Sequence, residues 1–331
     1  MKRIAVIGDG GWGTALALVL NRNGHDVHVW GPFSEYIDHI IDRGENIKFL
    51  PGIALPPGIK WTSDRDTAVK KADVIVFAVP SRYYSSVIES FARFISPSSL
   101  LLSVAKGLDK DTHRRMTETA GSILGRDMVA ALSGPSHAEE VARGVPSAVV
   151  IASADHEQAE QLQTIFTDSL FRVYTSNDVI GVELGGAMKN IVAIAAGVSD
   201  GIGFGDNTKA ALMTRGLAEM TRLGVALGAH PATFSGLSGI GDLVVTCTST
   251  LSRNRTVGER LGRGEKIEDI LKSMEQVAEG VWNCGNARAL AGDVNVEVPI
   301  TDEVYAVVHE GKNPHEAVEA LLSRDPKPER Y

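Results

Sequence analysis

The sequence predicts an α/β fold: a doubly wound, mostly parallel N-terminal sheet joined to a C-terminal all-helical domain. Three observations carry this. Apolar, β-branched runs alternate with helical stretches through the first half, a glycine cluster separates the first run from the first helix, and beyond about Ser176 long helical patterns replace the strand-like runs. Strands alternating with helices are the pattern of a parallel sheet covered on both faces.

Residues 2–8 form the first apolar run, and the helix from Thr14 to Asn23 ends at Asn23-Gly24, a helix-stopping pair. Asp26 to Trp30 gives a second strand closed by Gly31-Pro32, completing a βαβ unit. Further strands are expected near 73–79, 100–105, 129–132, 148–151 and 171–174, with helices near 83–94, 112–124, 138–143 and 156–166. A boundary near 178–188 divides the chain into a dinucleotide-binding domain, 1–180, and a helical substrate-binding and catalytic domain, 181–331. In the second part Leu184, Met188, Ile191, Ala195 and Val198 recur at helical spacing, and 209–227 repeats the pattern. Residues 301–309 and 314–322 read as closing helices, the latter with Asn313 as N-cap and Pro314 in the first turn. Residues 262–265 and 326–331 read as loop and tail.

Composition narrows the function. At about 150 residues per domain, 331 residues suit two domains. With 33 basic and 41 acidic residues the formal charge is −8, which disfavours nucleic acid as a partner because phosphate neutralisation needs a basic face. The apolar stretches 74–79 and 191–198 fall short of the roughly 18 residues of a membrane span, so none is expected. Lys2 and Arg3 precede only four apolar residues, too few for a signal peptide, which points to the cytoplasm. Cys247 and Cys284 are the only two cysteines and no CxxC, HxxxH or HExxH spacing occurs, so neither a disulfide scaffold nor a metal site is indicated.

Chemistry-bearing motifs follow. Gly8-Asp9-Gly10-Gly11-Trp12-Gly13 matches G-x-G-x-x-G after a strand and before a helix. Gly8 permits the tight turn, Gly10 lets a pyrophosphate approach the backbone, and Gly13 allows close packing of helix on strand. The position that carries Asp or Glu for the ribose of NAD reads Gly31-Pro32-Phe33, so the preference between NAD and NADP stays open. Lys106, at a strand's carboxyl end, is either a phosphate or carbonyl ligand or a solvated strand-end cation. Ser133-Gly134-Pro135-Ser136-His137-Ala138 opens a helix and is either an anion-holding turn or a simple cap. Lys189 stands inside an apolar helix, either as a desolvated proton donor or as a snorkelling side chain at a domain interface. Asp242 follows a glycine turn, and Ser252-Arg253-Asn254-Arg255 sets two guanidinium groups around an amide, suited to phosphate or to solvent. Glu279 has no assignable chemistry by itself.

Taken together, these segments resemble bacterial NAD(P)-dependent glycerol-3-phosphate dehydrogenase over nearly the whole chain. The resemblance rests on GDGGWGTA (8–15), AKGL (105–108), SGPSHA (133–138), ELGGAMKN (183–190), GDNTKAALMTRGLAE (205–219), GDLVVTCT (241–248), SRNRTVG (252–258) and VAEGV (277–281). It implies a Rossmann-like domain and reversible reduction of dihydroxyacetone phosphate to sn-glycerol 3-phosphate, the backbone of membrane phospholipids, in the cytoplasm. It also implies Lys189 as the acid/base and a substrate pocket of Lys106, Gly134, Ser136, Lys189, Asp242, Ser252, Arg253 and Asn254. For NAD(P)H it implies Gly8, Gly10, Gly11, Trp12, Gly13, Pro32, Lys106, Ala138, Arg253, Val277 and Glu279, with Asn190 orienting Lys189. No metal is implied, and a homodimer is compatible. Many members carry basic residues where this chain has Pro32 and Phe33, which counts against strong NADP selectivity. A ketopantoate or hydroxy-acid reductase, with Arg253 on a carboxylate, and a non-catalytic dinucleotide sensor are the alternatives.

Overall fold

The computed structural model describes residues 1–325, 328 and 329, so most of the expected tail at 326–331 lies outside the described residues. The sheet half contains β1 (Arg3–Ile7), α1 (Gly11–Arg22), β2 (Asp26–Trp30), α2 (Ser34–Arg43), β3 (Ile59–Thr62), α3 (Arg65–Val69), β4 (Val74–Phe77) and α4 (Ser81–Phe91). It continues through β5 (Leu100–Ser103), α5 (Met116–Leu124), β6 (Ala130–Ser133), α6 (Ala138–Ala142), β7 (Ser147–Ala152), α7 (His156–Phe166) and β8 (Phe171–Ser176). All eight strands share one sheet in the order β3-β2-β1-β4-β5-β6-β7-β8. The first six follow the 3-2-1-4-5-6 order of dinucleotide-binding sheets. They run parallel, whereas β7 lies antiparallel to β6 and parallel to β8. Side chains of the central strand β4 are buried on both faces, one set packing with α1 and the other with α3 to α5. Each fully buried Val, Ile or Phe there contributes about 1.5–3 kcal/mol.

Two departures from the sequence expectation have local causes. The segment between β2 and β4, to which the sequence reading assigns no element, holds α2, β3 and α3, with Ile37 and Ile40 on the inner face of α2. Helix α5 starts at Met116 rather than at 112 because the Asp109 carboxylate accepts from the amides of Asp111 and Thr112 and from the Thr112 hydroxyl, at 3.2, 2.9 and 2.8 Å. This turn leaves His113 at a φ of 57°, a left-handed conformation that cannot continue a helix.

The helical half is built on α8 (Val179–Ile202). Around it lie α9 (Asp206–Ala226), α10 (Asp242–Thr248), α11 (Arg253–Gly262), α12 (Ile267–Lys272), α13 (Gly280–Asp293), α14 (Pro299–His309) and α15 (Pro314–Leu322). Asp178 caps α8 by accepting from Gly181 N at 2.9 Å, and its other oxygen accepts from His230 N and Thr233 Oγ1. By length and composition α8 could cross a membrane, with a mean hydropathy of 1.5, but 83% of that window is buried inside the protein. The expectation from shorter apolar stretches missed this because Gly, Glu and Lys interrupt the run, while tertiary packing covers all sides of the helix.

Candidate active site

The fingerprint turn is shaped as its glycines require. Gly8 has a φ of 124°, and a Cβ there would lie 2.5 Å from the Ala78 carbonyl oxygen. A Cβ on Gly13 would collide with the Gly8 carbonyl, whereas one on Gly10 would meet open space. No side chain caps α1 and its first turn carries no acid, so free amides and a positive dipole end face the opening. Asn46 locks the turn from below, its Nδ2 donating to the Asp9 carbonyl at 2.7 Å and to Thr14 Oγ1 at 2.8 Å. Trp12 Nε1 is buried without a partner among the described residues. An open approach at Gly10, uncapped amides and an orphaned donor fit a dinucleotide pyrophosphate.

A second cluster forms where the sheet meets the helices. Lys189 Nζ donates to Asp242 Oδ1 at 2.8 Å and to Thr246 Oγ1 at 2.6 Å. Lys106 Nζ donates to Asp242 Oδ2 at 2.7 Å and to the Gly134 carbonyl at 2.8 Å, with Ser136 Oγ at 3.4 Å. One carboxylate, 1% exposed, therefore holds two ammonium groups, and Lys189 is itself 6% exposed. Burial pushes the Lys189 ammonium down to about 8. Asp242 pulls it upward, whereas the charge of Lys106 pushes it down further. Burial acts to raise the Asp242 carboxyl, but Lys106 and Lys189 outweigh it and hold the group below its usual range. His137, desolvated and facing both lysines, is held below the ordinary imidazole value.

Local sequence explains how these side chains converge. Asp242 begins α10 directly after a π-type turn, Leu237–Gly241, in which Gly239 has non-helical angles. That turn lies against Gly185 of α8, where a Cβ would sit 3.0 Å from the Ser238 carbonyl carbon. A Cβ on Gly186 would lie 2.6 Å from Ser133 Oγ and 3.4 Å from Lys106 Cγ. The paired glycines of ELGGAMKN thus admit the acid-bearing turn on one side and the Lys106 stem on the other, one turn before Lys189. Asparagines fasten the end of β5: Asn190 Nδ2 and Asn283 Nδ2 donate to the Lys106 carbonyl, and Asn283 Oδ1 accepts from Leu108 N. The two regions adjoin through 133–138, since Ser136 meets Lys106 while Ala138 Cβ lies 3.6 Å from the Cβ position of Gly11.

Both halves of the chain match models of one family: "NAD-dependent glycerol-3-phosphate dehydrogenase N-terminus" over residues 3–159 and the corresponding C-terminus over 178–319. A glycerol-3-phosphate dehydrogenase, NAD(P)+, of Thermoanaerobacter sp. (strain X514) is 48% identical over 329 residues, covering 99% of each chain. The chain belongs to the NAD-dependent glycerol-3-phosphate dehydrogenase family. A relative from Geobacter sulfurreducens with the same name is 47% identical over 333 residues, covering 100% of this chain and 99% of its own. The crystal structure of glycerol-3-phosphate dehydrogenase from Coxiella burnetii superposes with a TM-score of 0.95 at 40% identity, over 98% of this chain and 99% of that one. A ketopantoate reductase from Ralstonia eutropha JMP134, at 18% identity and a TM-score of 0.62, shares the fold alone.

Within this dehydrogenase fold most of the expected residues fall into two groups. Lys106, Gly134, Ser136, Lys189 and Asp242 converge on one cluster, and Gly8, Gly10, Gly11, Trp12, Gly13 and Ala138 shape the neighbouring turn. Arg253 is exposed and donates to the Val277 carbonyl at 2.9 Å. Beside it, Gln276 Nε2 donates to the carbonyl of Phe49, the residue that crowds Gly11. Three expected ligands instead have their polar atoms engaged internally. Ser252 caps α11 through Arg255 N, and Asn254 donates to Asn190 Oδ1 and accepts from Gly280 N. Glu279 accepts from the amide and hydroxyl of Ser81 at 3.0 and 2.5 Å, tying α13 to the start of α4. Pro32 is exposed beyond β2. Thr246, Asn283 and His137 were not singled out from sequence, although Thr246 and His137 lie inside quoted motifs. A threonine in mid-helix carries no signal until the lysine it meets is known.

Proposed function

We propose that Lys189 is the acid/base of a reversible, NAD(P)H-dependent interconversion of dihydroxyacetone phosphate and sn-glycerol 3-phosphate. The observation that carries this is the buried Lys189–Asp242–Lys106 cluster beside a fingerprint turn open at Gly10. When bound, NAD(P)H supplies the hydride for the C2 carbonyl carbon. Lys189, as ammonium, donates to the carbonyl oxygen and transfers its proton as negative charge grows there. Asp242 and Thr246 fix the direction of that proton by occupying the other donors of Lys189. Lys106 brings a second positive charge and joins Gly134 and Ser136 to the substrate side. Arg253 grips the phosphate, whose binding energy aligns the carbonyl, while Ser252 caps the helix that carries Arg253 and Asn254 holds Asn190 in place. Asn190 orients Lys189 from the neighbouring position. Val277 and Glu279 frame the cofactor side through Arg253 and Ser81. We further place the division between domains at 180 and the enzyme in the cytoplasm as a homodimer, a state that sedimentation velocity reads directly.

Consumption of NADH and NADPH by the purified protein with dihydroxyacetone phosphate tests the reading, with ketopantoate as control. Turnover with ketopantoate alone would refute it. The reductive kcat/KM is expected to fall above pH about 8, where Lys189 loses its proton, and the oxidative kcat/KM to rise through the same value. A profile flat through that region in both directions would remove Lys189 from the proton transfer. Arg253→Ala is expected to raise the KM for dihydroxyacetone phosphate about ten- to a hundredfold, the worth of a charge-assisted hydrogen bond. Dihydroxyacetone, which lacks the phosphate, should be converted equally by both proteins. Equal losses for the two substrates would assign Arg253 to the cofactor or the fold.

A further inference from the structure

Dinucleotide-binding sheets commonly place an acid at the end of the second strand, where it meets the ribose 2′-hydroxyl, and here that place reads Gly31-Pro32-Phe33. A carboxylate nevertheless occupies it, reached from the adjacent strand. β1 and β2 pair in register up to Ile7 and Trp30, and Gly8 N donates to the Trp30 carbonyl at 2.9 Å. Asp9 stands two residues beyond β1 and Gly31 one beyond β2. The Asp9 side chain lies over Gly31 so closely that a Cβ there would be 2.6 Å from Asp9 Cγ, and nearer still to Oδ2. Glycine at 31 thus leaves the space that the Asp9 carboxylate fills.

That carboxylate is poorly served by the protein. Asp9 is 7% exposed, and its Oδ2 has no hydrogen-bond partner among the described residues. Asn46 bonds the Asp9 carbonyl rather than the carboxylate, and Tyr36 on α2 bonds Asn46. The cation whose charge reaches Asp9 is Lys48, which is exposed and forms no ion pair with it. Burial raises the Asp9 carboxyl to about 6, an effect opposed by its own backbone amide and by Lys48. An unpaired buried acceptor carries the full desolvation cost of the group, and such a group in a binding turn calls for a ligand that completes it.

We propose that Asp9 replaces the missing acid at the end of β2: its carboxylate accepts from the adenosine ribose 2′-hydroxyl of the cofactor and makes the enzyme selective for NAD(H) over NADP(H). A 2′-phosphate would instead press further negative charge against a buried carboxylate. This rests on the cofactor reading above and specifies which cofactor.

Calorimetric dissociation constants test it without turnover, using NADH, NADPH, ADP-ribose and 2′-phospho-ADP-ribose on the wild type, Asp9→Asn and Asp9→Ala. The wild type is expected to bind NADH and ADP-ribose about tenfold or more tightly than their 2′-phosphorylated partners. Both variants should lose about that factor for the unphosphorylated ligands only. The denaturation midpoint of ligand-free Asp9→Ala should hold or rise, because an unsatisfied buried charge is gone. Equal weakening of all four ligands together with a lowered midpoint would assign Asp9 to the fold and overturn the proposal. Wild-type binding of NADPH as tight as that of NADH would overturn it too, and dihydroxyacetone phosphate reduction by NADPH would then leave the dehydrogenase reading standing. Folded wild type that binds none of the four would defeat both.

Discussion

Lys189→Ala is expected to lower turnover by about 10²–10⁴, the usual loss when a general acid/base is removed. The reason is geometric as well as chemical. Lys189 is the ammonium held by Asp242 and Thr246 in the helical half, with one donor left over, whereas Lys106 already directs its three donors to Gly134, Ser136 and Asp242 and cannot replace it. Substrate and cofactor dissociation constants should change far less than kcat, since the glycine turn and Arg253 are untouched. Single-turnover rates and equilibrium binding measured on the same preparation separate the two. Normal turnover in a folded variant would end the assignment.

Asp242→Asn should be as damaging by another route. The substitution preserves shape but removes the one carboxylate that both ammonium groups share. Breaking a buried pair by removing one partner costs about 3–5 kcal/mol, and here two positive groups are left facing each other. The denaturant midpoint should fall accordingly. Lys189 also loses the charge that pulls its pKa upward, so it should shed its proton below pH about 8. Any residual reductive activity should then decline at a lower pH than in the wild type. A variant with unchanged midpoint and unchanged pH profile would show that Asp242 does not hold the lysines in solution.

Most of the fold was readable because its signals are local. The strands that form β1, β2 and β4 to β8 are apolar runs bounded by turn residues, and α7 to α9, α14 and α15 carry clear periodicity or caps. Helices α10 to α13 were not placed from the sequence; α10, α12 and α13 have no side-chain cap. β3 escaped notice because four residues, Ile59–Thr62, follow Pro56-Pro57-Gly58 and bury little of their surface. The reversal at β7 was equally invisible, since hydrophobic alternation does not encode strand direction. In the site, Lys106, Lys189 and Asp242 stood out as charges in apolar or glycine-rich surroundings. The contacts of Asn190, Asn254 and Asn283 were not readable, because an amide gains its partners only from the groups brought to it across the chain. Asp9 was hidden inside a fingerprint whose glycines attract the attention, and its importance depends on Gly31, a residue 22 positions away with no side chain of its own.

The asparagine fastening of the Lys106–Leu108 backbone bears on how this chain comes apart. A cut near residue 180 would follow the grammar of the sequence, yet it would strip Lys106 of Asp242 and leave Asn190, Asn283 and Glu183 without the amides, carbonyls and guanidinium they bind in the first half. The seam visible in the primary structure is therefore not a line of weakness. Amide hydrogens on both sides of it, that of Leu108 among them, should exchange with solvent as members of one cooperative unit. The two halves are then expected to behave as a single foldon whose mortar is the set of buried polar contacts around Lys106 and Asp242.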